Sequence, residues 1–180
     1  QNQSLLIEVN QSASPLLHAF SEVVEVNQLG VEAELLSDLP RIPSTSRQGE
    51  RNADDFVLRL GLIIRGNDRL SWLQRQLAPQ WLVDMEDLLP KKWGIEKVLF
   101  FTTCRQSELL NQVRSHFMSD RFQEKCVTLL EKPGPFSLKI QLPKTQQVIG
   151  LWLGSDGDDL NQRFRLQIKS IQINGNKTAL

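Results

Sequence analysis

At 180 residues, with 40% hydrophobic and 23% charged side chains, the chain is long enough for one domain with a proper core. Its net charge is zero, so nucleic-acid binding through bulk charge is excluded, and no apolar run is long enough to cross a membrane as a helix. The charge is unevenly spread: residues 1–40 carry six acidic side chains and no Lys or Arg, which leaves 21 basic and 15 acidic side chains for the remainder.

In chain order, Leu5-Leu6-Ile7-Glu8-Val9 is apolar with β-branched members and predicts a short strand. Ser14 followed by Pro15 is a helix-start signature, and Leu16, Phe20, Val23, Val24 and Asn27 follow helical spacing up to Gly30. Residues 31–36 fit a strand or a further helical turn. Residues 40–55, "PRIPSTSRQGERNADD", hold two prolines, a glycine and many small polar residues, and predict an exposed linker. Phe56 to Arg65 alternates with period two and predicts a strand. After Asn67-Asp68, Leu70, Leu73, Leu77, Trp81, Met85 and Leu88 form a core-facing helical stripe, which Pro79 kinks or splits.

Ile95 to Phe101 reads as a strand buried on both faces. The Thr103–Gln106 spacing suits a capping box, and Leu109, Leu110, Val113 and Phe117 share one face of the helix it would open. Strand, helix, strand, helix argues for a βαβ unit. From Pro133 the texture becomes β: "PFSLKIQLP", "QVIGLWLGS" and "FRLQIKSIQI", with a one-residue slip at Lys169-Ser170 that marks a bulge. The expected fold is therefore mixed α/β: helices packed on a mixed sheet over residues 1–132, with an antiparallel β segment over 133–180 in the same compact domain.

The catalytic inventory is thin. Glycine spacing fits neither a dinucleotide loop nor a P-loop. The two histidines, His18 and His116, fall in predicted helices with no ligand partner at metal spacing. Cys104 sits at a predicted helix start, where its thiol would be reactive, and Cys126 is available to pair with it in an oxidising compartment. Arg59 and Arg65 flank Gly61 on one strand face and could clamp an anion. Asp156, Asp158 and Asp159 form an acidic loop that departs from EF-hand spacing and suits a turn or a ligand contact.

The C-terminal stretch resembles the closing strands of a β-sandwich, carbohydrate-binding-like module of bacterial glycan-handling proteins. Leu151-Trp152-Leu153 runs into Ser155-Asp156, and Phe164, Leu166, Ile168, Ile171 and Ile173 form the return strand. That resemblance implies glycan binding, with Trp152 or Trp93 as a stacking platform.

The first expectation is a non-catalytic accessory or interaction domain processed from a larger protein, since the chain opens on Gln1 rather than Met. A carbohydrate-binding module and a fragment of a transferase-like enzyme are the alternatives. Expected partners are another protein or the rest of the parent chain, or else a glycan, with no nucleic acid. No cofactor and no metal are assigned, and the expected setting is extracytoplasmic or membrane-tethered.

Overall fold

The computed structural model describes residues 4–116 and 119–178. It places nine strands in one sheet: β1 (Leu5–Asn10), β2 (Ala13–Leu35), β3 (Arg59–Gly66), β4 (Gly94–Cys104), β5 (Val113–His116), β6 (Ser119–Leu129), β7 (Gly134–Asp156), β8 (Arg163–Ile173) and β9 (Asn176–Thr178). The strand order is β1-β8-β2-β7-β3-β4-β6-β5, with β9 beside β8. Every pairing of these strands is antiparallel except β4 with β6. Two short helices, α1 (Trp72–Leu77) and α2 (Gln80–Leu88), interrupt the strands. The fold is thus mostly β, and the expectation of an α/β class with helices packed on a sheet is overturned.

The largest correction is β2. Residues expected to form a helix from Ser14 are extended, with Ser14 opposite Ser155 and Pro15 opposite Gly154. Proline is tolerated there because this half of β2 has β7 on one side only; β8 joins it from Leu29 onward. Farther along, Leu29, Val31, Ala33 and Leu35 are buried in alternation, the period of a strand. Register breaks between Ala19 and Val24, and between Val26 and Gln28, disrupt that period. Those breaks are what made the apolar positions mimic helical spacing.

The helix expected after Cys104 is also absent. Its place is taken by a single 3₁₀ turn, Ser107–Leu109, and then β5, whose Val113 is exposed. Phe117, assigned to that helix face, lies outside the described residues. β4 and β6 do run parallel, but no helix connects them; β5 returns along the far side of β6. The expected C-terminal strands "PFSLKIQLP" and "QVIGLWLGS" are one continuous strand, β7. The bulge expected near Lys169-Ser170 is present: Ser170 faces Glu32 and Ile168 faces Ala33, leaving Lys169 as the extra residue.

Pro79 splits the predicted long helix in two, and Ser71 caps α1 through a capping box with Gln74. The stripe is not core-facing throughout. Met85 is buried, but Leu73, Leu77 and Leu88 are exposed at 60, 81 and 59%. A buried carboxylate holds the pair together instead: Glu86 accepts from the Leu70 amide at 2.7 Å and pairs with Arg75 at 2.9 Å. Among the described residues, no helix is long and apolar enough to cross a membrane.

β3 lies at the centre and is covered on both faces. Leu60, Leu62 and Ile64 join the main core with Val26, Leu138, Leu151 and Leu166. Ile63 points the other way, into a second cluster with Phe100, Trp152 and Met85. The strands from after residue 132 insert among the earlier ones, β8 between β1 and β2 and β7 between β2 and β3. Gly61 sits on the second face, where a Cβ would come within 2.9 Å of both Phe100 and the Trp152 side chain. Gly61→Ala is accordingly expected to lose about 1–3 kcal/mol by overpacking. A urea midpoint within error of the parent protein would refute this.

Candidate functional site

Above Gly61, on the same face of β3, a cavity of about 350 Å³ opens. Its apolar wall is Trp81 of α2, Phe100 of β4, Phe122 of β6 and Trp152 of β7. The rings meet at near-edge angles: Trp81 to Trp152 at 5.5 Å and Phe100 to Trp152 at 5.7 Å between centroids. Its polar wall is Asp54, Arg59, His116, Asp156, Asp158 and Asp159.

Five residues singled out in the sequence, namely Arg59, Trp152, Asp156, Asp158 and Asp159, thus line one cavity. Arg65 does not join them. It hydrogen-bonds Gln147 at 3.1 Å and lines a separate surface hollow with Asp68 and Glu96. Arg65 lies six residues along β3 from Arg59, roughly 20 Å at the rise of a strand, so the expected two-arginine anion clamp does not form. Arg59 is itself buried rather than solvated. Trp152 and Trp93 are only 9 and 7% exposed, so neither is an open stacking platform; Trp81 is the half-buried ring at the cavity.

Arg59 is the hub of a buried ion network. Its Nη2 lies 3.0 Å from Asp54 Oδ1 and 3.2 Å from Glu124 Oε1, and its guanidinium stacks 4.4 Å from the Phe56 centroid. Arg114 bonds the other oxygen of Glu124 and the Gly49 carbonyl. His116 Nε2 stands 3.1 Å from Asp54 Oδ2. Burial opposes the charge on Arg59, but Glu124, Asp54 and Asp156 outweigh it and raise its pKa. Burial likewise pushes the Asp54 carboxyl up; His116 and Arg59 overcome this and hold it below the usual range. Among the described residues, Asp54 Oδ1, Arg59 Nε and Glu124 Oε1 are buried without an aligned hydrogen bond, although two of them lie at ion-pair distance. Asp54, His116 and Glu124 have the donor atoms of a metal site. The two guanidinium groups already supply the positive charge there, and a divalent ion would have to displace them.

The acidic loop and the segment before β3 clasp each other. Asp55 accepts from the Asp159 and Leu160 amides, each at 3.0 Å, and Asp159 accepts from the Asp54 amide at 2.8 Å. Part of the predicted exposed linker is thereby buried, including Gln48, Ala53 and Asp55. Burial raises the Asp55 carboxyl, against those two amides.

Asp156 is pushed up to about 8, first by burial, with Asp158 adding to it against the opposing charge of Arg59. In the unfolded chain it ionises near ~4. Between these values the folded protein holds a proton that the unfolded chain has released. Stability therefore falls as pH rises from ~4 to ~8, by at most about 1.4 kcal/mol per pH unit. Asp156→Asn should flatten that decline, read from urea midpoints at pH ~5 and ~7.5. An unchanged slope in the variant would sink the assignment.

Cys104 and Cys126 form a disulfide, with Cα atoms 5.8 Å apart. It ties β4 to β6 beside Glu124 and Arg114, and leaves neither sulfur as a free thiol. Asp54, Arg114, His116 and Glu124 were not singled out in the sequence as site residues. Glu124 had one legible signal, a charge in phase with Phe122 and Cys126 along an alternating strand.

Set against protein-family models, curated proteins and solved structures, the chain matches none.

Proposed function

We propose that this chain is a non-catalytic accessory domain whose cavity binds a small polyhydroxylated, ring-shaped ligand of the carbohydrate class. The observation that carries this reading is the meeting of one aromatic wall with a row of carboxyl groups in a cavity of about 350 Å³, within the ~300–1,000 Å³ usual for small-ligand sites. Sugar rings offer apolar C–H faces to aromatic side chains and hydroxyls to carboxylates. Asp158 and Asp159 are exposed enough to accept from hydroxyls, and a protonated Asp156 can donate as well. The buried charge of Arg59 is met within the protein by Asp54 and Glu124, which leaves little positive charge for an anionic ligand.

The test is tryptophan fluorescence and proton–nitrogen NMR across a panel of neutral mono- and oligosaccharides. Saturable shifts at Trp81, Trp152 and residues 156–159, lost in Asp158→Asn and Trp81→Ala, are the expected result. A panel that moves none of these signals defeats the reading. A second reading, an acid-catalysing transferase fragment, is favoured by one feature: a carboxyl held protonated near neutrality facing the same cavity as His116. It requires turnover of a glycoside that disappears in Asp156→Asn.

A further inference from the structure

A second concavity, of about 380 Å³, opens where the first half of β7 passes over β4 and β6. Its floor includes Phe101, Ile140 and Leu142, which belong to the main core, with Leu99 and Val127 packed against them. Val113 stands at its edge, 67% exposed. The surround carries four lysines: Lys97, Lys125, Lys139 and Lys144. Lys97 comes within 3.9 Å of Glu96, and among the described residues the other three form no ion pair. The single carboxylate in the lining, Glu124, is held by Arg114 and Arg59.

An open apolar cleft bordered by uncompensated ammonium groups suits a molecule with an apolar tail and an anionic head. From this we infer that the cleft binds a free single-chain anionic amphiphile of the fatty-acid type, the tail on Phe101, Ile140 and Leu142 and the carboxylate among the lysines. Charge complementarity selects the head group. Depth selects a free chain over a bilayer surface: Phe101, Ile140 and Leu142 are only 7, 5 and 6% exposed, below the reach of a flat membrane. Stacked bases are a poorer fit, because the floor is mainly aliphatic.

The experiment titrates sodium laurate, below its micelle concentration, into the isotopically labelled chain. The expected result is saturable binding, with shifts at residues 99–101, 125–127 and 139–142. Affinity should fall about tenfold or more in Lys139→Glu/Lys144→Glu, and in the parent protein at high salt. Val113→Trp should block the entrance and remove binding while the thermal melt is unchanged. Methyl laurate, with the same tail and no charge, should bind more weakly. No binding of laurate, equal binding of the neutral ester, or salt-independent binding would each overturn the inference. So would association with anionic vesicles by a protein that ignores free laurate. The salt arm uses the unaltered protein, so the test survives a double variant that fails to fold.

Discussion

Replacing Glu124 by alanine is expected to cost about 3–5 kcal/mol of folding stability, among the largest effects of any single substitution. Its side chain is 1% exposed, and its two oxygens serve two different guanidinium groups. Truncation leaves Arg59 buried with Asp54 as its one remaining ion-pair partner among the described residues, and leaves Arg114 with only the longer, 3.6 Å contact to Asp54. The penalty comes from uncompensated buried charge more than from a lost contact. Two controls separate these. Glu124→Gln keeps the shape and loses the charge, so it should be nearly as harmful. Arg59→Met with Glu124→Leu removes one charge of each sign and should recover part of the loss, since Asp54 keeps Arg114 at 3.6 Å and His116 at 3.1 Å as partners. Urea unfolding at neutral pH reads all three. A loss under about 1 kcal/mol in the alanine variant would show that the network is not a structural keystone.

Breaking the disulfide is the second large effect. Cys104 and Cys126 are 22 residues apart, and closing a loop of that size in the unfolded chain stabilises the fold by about 3 kcal/mol. The loop contains the 3₁₀ turn and β5, an edge strand whose sheet partner is β6. β5 delivers His116 to the cavity and Arg114 to the ion network beside it, so the reduced protein should lose definition there first. Expected for Cys104→Ser/Cys126→Ser are a lower melting temperature and faster amide exchange over 107–116, with β2 and β7 largely unaffected. Equal melting of oxidised and reduced protein would contradict this.

The C-terminal strands and the bulge at Lys169 were legible because alternation persists through "FRLQIKSIQI" and breaks at one point only. β2 was not, because one of its register breaks falls between Ala19 and Val24, where Phe20 follows Leu16 by four residues and Val23 and Val24 follow Phe20 by three and four. A proline after a serine then completed the false helix signal, and only the one-sided pairing of that half-strand explains why proline is harmless there. The acidic loop was visible as a candidate, but its clasp with Asp54 and Asp55 was not, since those residues lie about 100 positions away within an apparent linker. Arg59 was visible as a charge on a strand. Its carboxylate partners come from a loop and from β6, a meeting that topology arranges and local pattern does not encode.

The sheet order also sets the course of folding. β3 with β4 and β5 with β6 join segments near in sequence, and can form early. β1 and β2 instead wait for partners about 100 or more residues downstream, with Leu5 facing Ile168 and Ala13 facing Asp156. During synthesis the first two strands therefore emerge with unpaired backbone edges long before β7 and β8 exist. Folding should end, rather than begin, with the N-terminus, and a chain truncated before residue 134 should be prone to aggregate, since β2 would lack both of its neighbours.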